Sequence, residues 1–156
     1  MGATREKIKE KLESVKKDYA NDLAAMPHDD LETSPGGQAR APYDFTYEVV
    51  VVNDRMTNAI RGVANGPWPF EGWAVAPADF RNKERAIAEI ERSLDGMISV
   101  WGELEEAELC KEITSASGAT STPMDFALMC VQHTGYHDAQ LNFIQAMRGD
   151  MEVHWK

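Results

Sequence analysis

The sequence predicts an all-α protein, a four-helix bundle filling a single domain over residues 1–156. Three observations predict it. Four stretches of about 20 residues or more repeat apolar side chains every three or four positions, the period of one helix face. Gly- and Pro-rich segments separate them. Proline stands near the start, or glycine just past the end, of all but the first of these stretches. In a chain of 156 residues, four amphipathic helices bury their stripes against one another as a bundle.

The first helix is expected from about Ala3 to Ala25, with Ile8, Leu12, Val15, Tyr19, Leu23 and Met26 as a narrow stripe on a Lys/Glu surface. Met26-Pro27-His28-Asp29-Asp30 ends it, and Ser34-Pro35-Gly36-Gly37 marks the next loop. The second is expected from about Tyr43 to Arg61, after Pro42 and before Gly62. Its Val49-Val50-Val51-Val52 run is β-branched and would also suit a strand. Phe45, Glu48, Val52, Met56 and Ala59 nevertheless keep helical spacing, which favours the helix. The loop from Asn65 to Pro77 holds Trp68 and Trp73; it either packs down on the bundle or forms a lid or partner surface. The third helix is expected to begin near Pro77-Ala78-Asp79, with Phe80, Ile87, Ile90, Leu94, Met97, Trp101 and Leu104 inward. The fourth runs from about Pro123 to Arg148, capped by Ser121 or Thr122 and stopped by Gly149. Its inward stripe is Phe126, Cys130, His133, His137, Gln140, Ile144 and Met147.

Three polar residues interrupt that last stripe, and buried polar groups need partners. His133 and His137 lie four apart, so both imidazoles project from one helix face. Such a pair is half of a metal site, or else two core histidines satisfied by hydrogen bonds. A third ligand must come from another helix. Glu48 is the choice, because an inward carboxylate is costly unless paired. Its alternative is a solvated residue, with Asp44, one turn earlier, as the substitute ligand. Two histidines and a carboxylate suit a divalent ion (zinc, nickel, manganese or iron) and leave positions open for water or substrate. Cys130 shares the face, but three ligands over two turns span roughly 10 Å, too far for one ion. It reads as a small buried hydrophobe. Gln140 is placed to orient a ligand or bind substrate, and Tyr136 or Tyr47 to supply a hydroxyl. His28 and His154 read as structural or incidental.

The formal net charge of −10 excludes nucleic acid and anionic membrane surfaces as expected partners. No nucleophile elbow, P-loop or dinucleotide-binding glycine motif is present. No transmembrane run or secretory segment is read, and Cys110 and Cys130 make no disulfide framework, so a cytoplasmic location is expected. Eight methionines and the narrow first stripe leave apolar surface for a homodimer.

The stretch His133-Thr134-Gly135-Tyr136-His137-Asp138-Ala139-Gln140, followed by Leu141 to Met147 and Gly149-Asp150, resembles the last helix of DinB/YfiT-like proteins. Their pattern there is His-x-x-x-His-x-x-Gln ahead of a helix-ending Gly. The resemblance implies an up-down-down-up four-helix bundle, often dimeric, with a divalent metal on three histidines. Two of these carry over to His133 and His137. The third falls early in the second helix, where this chain reads Asp44-Phe45-Thr46-Tyr47-Glu48-Val49-Val50 and has no histidine; Glu48 stands closest. The resemblance further implies transfer chemistry with a low-molecular-weight thiol, in which the metal activates the thiolate and Gln140 or Tyr136 positions a small electrophile. The expected activity is therefore a metal-dependent thiol S-transferase. Metal-dependent hydrolysis is the alternative enzyme class. A non-catalytic stress-response bundle with a decayed site, signalled by the missing second-helix histidine, is the other; it leads if Glu48 faces solvent and is disfavoured if Glu48 points inward within reach of both histidines.

Overall fold

The computed structural model describes residues 2–115 and 118–155. Four long helices, α1 (Ala3–Ala25), α3 (Pro42–Arg61), α4 (Lys83–Glu103) and α5 (Pro123–Met147), form the bundle, and a short α2 (His28–Glu32) follows α1. Between α4 and α5 lie a 3-10 turn at Glu106–Glu108 and a two-residue antiparallel pair, β1 (Ile113–Thr114) with β2 (Thr120–Ser121). The short helix and the strand pair carry too few residues to show a period in the sequence.

Helix termini follow local chemistry. Pro42 and Pro123 occupy first turns, where a missing N–H costs nothing. Gly62 ends α3 in the left-handed region at φ 70°, which side-chain-free glycine adopts without strain. Thr122, not Ser121, caps α5: its hydroxyl accepts from the Asp125 N–H, and the Asp125 carboxylate accepts from the Thr122 N–H. The β-branched Val49–Val52 run is helical throughout, because burial of Phe45, Val49 and Val50 outweighs a propensity difference of a few tenths of a kcal/mol.

The start of α4 corrects the sequence expectation. The helix begins at Lys83, with the Asn82 side chain accepting from the Arg85 N–H at 2.9 Å. Residues 77–80 form a separate turn, fixed when Asp44 accepts from the Ala76 N–H and Arg81 bonds both Asp44 and the Ala76 carbonyl. Phe80 is buried from that turn rather than from the helix. Asp44 is thereby committed to holding the loop.

Packing pairs give the topology. α1 and α3 each pack on α4 and α5. Arg5 meets Leu104 and Lys16 meets Asp95, so α1 and α4 are antiparallel. Asn53 meets Ser93, and Gly96 faces Thr57, so α3 and α4 run parallel. Glu48 lies near His133 and His137, and Asn142 and Gln145 bond Asp22, so α5 is antiparallel to α3 and parallel to α1. The bundle is up-down-down-up. Its core runs from Ile8 and Trp101 at one end to Leu23, Tyr43 and Ile144 at the other. No helix among the described residues is long and apolar enough to cross a membrane.

Candidate metal centre

The antiparallel register of α3 and α5 brings one turn of each face to face. The nearer Glu48 carboxylate oxygen lies 3.5 Å from His133 Nε2 and 3.7 Å from His137 Nε2, and the three ligand atoms fall within 4.8 Å of one another. Atoms about 2.1 Å from one ion stand about 3.4 Å apart at tetrahedral angles. The separations and the neutral-imidazole-plus-carboxylate donor set therefore fit a divalent ion. Glu48 points inward within reach of both histidines, the arrangement that disfavours the decayed-site alternative.

Each ligand is held differently. His137 is fully buried, stacked on Phe45 at 5.3 Å, and its Nδ1 bonds the Gln140 side-chain oxygen at 2.7 Å. With that carbonyl oxygen as acceptor, Nδ1 carries the proton and Nε2 presents a bare lone pair to Glu48. Burial, opposed by the Gln140 bond, pushes His137 down to about 4; burial also lowers His133. Burial thus favours the neutral form of both rings, the form in which imidazole ligates. Among the described residues, the buried His133 Nδ1 makes no hydrogen bond. The far Glu48 oxygen is engaged by Arg40, which leaves the near oxygen turned toward the histidines.

Arg40 was not legible as part of the site. It sits in the loop before α3, and the only signal for it is that an inward carboxylate calls for a cation. Its guanidinium also lies over the Trp73 ring at 4.7 Å. The two tryptophans thus split the loop expectation. Trp68 packs edge-on to Phe70 beneath Arg55, while Trp73 stays 72% exposed at the rim of a cleft. That cleft, of about 680 Å³, opens onto Glu48, His133 and His137.

Tyr136 lines the cleft, and its hydroxyl accepts from Gln140 Nε2 at 3.4 Å. Tyr47 is excluded: its ring packs on Phe70 and Phe80 and does not line the cleft. Cys130 is buried outside the cluster, and burial pushes its thiol far up, as a structural cysteine requires. Met147, expected inward, is exposed at the cleft edge. His28 bonds the Tyr43 hydroxyl and His154 bonds Asp150, both structural.

Behind His137, Asp138 faces Asp22 across α1 and α5, an arrangement the sequence did not disclose. Each leaves a buried Oδ1 with no donor among the described residues. Burial first, then the Asp22 charge, pushes Asp138 up to about 8, so near neutrality it keeps a proton to share with Asp22. A folded-state value above the unfolded one contributes stability in full below the unfolded value and loses it as pH rises through about 8. The protein is therefore expected to lose thermal stability between pH 6.5 and 8.5, and Asp138→Asn to lose markedly less. Melting curves of the two proteins at both pH values check this.

A four-helix bundle with two histidines and a glutamate at metal-ligand separations defines the class. More particularly, the fold is shared with two solved structures. A conserved protein from Enterococcus faecalis is similar with TM-score 0.73 at 15% identity, over 96% of this chain and 99% of that one. YfiT from Bacillus subtilis, called a probable metal-dependent hydrolase with an unusual four-helix bundle topology, is similar with TM-score 0.73 at 14% identity, over 96% and 90%. No protein-family model and no curated protein matches the chain.

Proposed function

We propose that the protein binds a divalent metal through Glu48, His133 and His137 and is a metal-dependent hydrolase of a small substrate. The observation that carries this is the convergence of the three ligand atoms on the floor of an open cleft, with Gln140 fixing the His137 tautomer. The bound ion supplies Lewis-acid chemistry, lowering the pKa of a nucleophile and polarising the electrophile. Gln140 aims the His137 lone pair, Arg40 fixes the rotamer of Glu48, and the Tyr136 hydroxyl offers a proton or hydrogen bond to the substrate. The name given to YfiT supports hydrolysis.

The second reading is thiol S-transfer, and the size of the cleft favours it. A space of about 680 Å³ accommodates a thiol beside its electrophile. Loaded protein is to be offered esters and amides in one arm and thiols with electrophiles in the other. Turnover confined to the first arm selects hydrolysis. Turnover confined to the second selects transfer, and turnover unaffected by stripping metal overturns both.

Gln140→Ala is expected to weaken metal binding by about 10- to 100-fold, the usual effect of losing a partner that orients a ligand histidine. Competition against a chromophoric zinc chelator measures it.

A further inference from the structure

Arg40 presents a hydrogen-bonding edge to the cleft that the protein itself does not fill. Its guanidinium lines the cleft wall, with Nη1 donating to Glu48 and one face against the Trp73 ring. The remaining edge, Nε with Nη2, meets no acceptor among the described residues. The side chain is only 15% exposed, yet neither nitrogen is sealed from water, so the open edge faces the cleft rather than the packed interior. A guanidinium pinned by an ion pair and a ring loses little further freedom when a ligand takes its free edge. That edge offers two parallel N–H groups, the fork that matches the two oxygens of a carboxylate.

The surroundings favour the same ligand. Among the described residues lining the cleft, Arg40 is the one Arg or Lys, and Glu48 the one Asp or Glu. Glu48 directs one oxygen at Arg40 and the other at the histidine pair. Gln140 gives its side-chain oxygen to His137 and one amide N–H to the Tyr136 hydroxyl, which leaves its second N–H for a ligand. Gln38 adds an exposed amide. Phe45, Trp73 and Phe143 supply an aromatic wall for the rest of the molecule. A divalent ion on the three ligands would add positive charge to the same floor. The net charge of −10 acts from a distance and is screened over about 8 Å at physiological ionic strength, so a direct ion pair inside the cleft outweighs it. One guanidinium matches a carboxylate monoanion, whereas a phosphate dianion would find a single fixed cation on the protein.

We infer that Arg40 anchors a substrate carboxylate, its Nε and Nη2 donating to the two oxygens while the reacting bond lies toward Glu48, His133 and His137. Glu48 joins the two ends, one oxygen on Arg40 and the other facing the histidines, so the anchored group and the reacting bond stand a few bonds apart. The inference names a substrate class for the hydrolase proposed above and rests on that reading for the reaction. The anchor itself needs no ion.

Phenylacetate, its neutral isostere phenylacetamide, and phenyl phosphate test it. Each is titrated into chelator-stripped and metal-loaded protein, with metal content measured on the same samples. Binding is followed by NMR on the Arg40 Nε–H resonance, assigned through its side-chain carbons. On stripped protein, phenylacetate should bind at least about fivefold more tightly than the amide and shift that resonance, as a charge-assisted pair requires. Arg40→Lys keeps a cation for Glu48 but has no second edge; it should retain metal and bind acid and amide within about twofold of each other. An unmoved Nε–H resonance, equal affinities on stripped protein, or a preference that survives in Arg40→Lys overturns the inference. The resonance in the wild type decides even if that variant fails to fold. Tighter binding of phenyl phosphate than of phenylacetate to stripped protein overturns the carboxylate. A preference confined to metal-loaded protein places the anion on the ion, which sinks the anchor and leaves the metal centre standing. The preference in a protein that takes up no metal does the reverse.

Discussion

Glu48→Gln and His137→Ala proteins are expected to retain less than about a tenth of the divalent metal carried by the wild type, a loss at least as large as that from disturbing an orienting partner. Glu48→Gln is the sharper variant. It keeps side-chain shape and a hydrogen-bonding oxygen for Arg40, so the loop before α3 stays anchored, but it replaces an anionic ligand with a weakly donating amide. Glu48→Ala would confound the result by leaving the mostly buried Arg40 guanidinium unpaired. His137→Ala removes a ligand and also opens a space beside Phe45, so its fold is to be checked by circular dichroism. Added zinc should raise the melting temperature of the wild type, since a ligand of the native state alone stabilises it, and should leave both variants unmoved. Mass spectrometry of purified protein settles metal content directly. Full occupancy in Glu48→Gln would remove the carboxylate from the ligand set and return the site to the two histidines.

Trp101→Ala is expected to cost about 3–5 kcal/mol, the range for deleting a large aromatic side chain from a packed core. Trp101 is fully buried near the C-terminal end of α4, and its indole N–H donates to the Arg5 carbonyl at 2.9 Å. The substitution leaves a cavity and removes the indole's hydrogen bond to the Arg5 carbonyl. Against a total stability of about 5–15 kcal/mol, this removes a large share. At roughly 2–4 °C per kcal/mol for a domain of this size, the melting temperature should fall by about 6–20 °C. Trp101 lies outside the metal cluster, so zinc should still raise the melting point of this variant. That separates a core role from a site role. A drop of only about 1 °C would mean that this end of the bundle repacks freely.

The sequence by itself determined the helices and half of the site. Periodicity at three and four residues located α1, α3 and α5 to within a residue or so, because a helix that must bury one face writes that face into its composition. Thr122-Pro123 and Gly62 marked ends through local backbone chemistry. The His133/His137 pair was legible because one helix fixes both side chains, and Glu48 because a carboxylate on an inward stripe demands a partner. What only the tertiary structure decided is every pairing across elements. The α3–α5 register sets Glu48 opposite both histidines rather than Asp44, which is drawn away by Ala76 and Arg81. The loop before α3 delivers Arg40 to Glu48, and the α1–α5 contact sets Asp138 against Asp22. The start of α4 belongs with these, since a turn held by Asp44 from α3 displaced it to Asn82. Local spacing specifies which side chains share a face; the partner across the gap depends on how whole helices slide and tilt to bury their stripes, and no window of neighbouring residues contains that information.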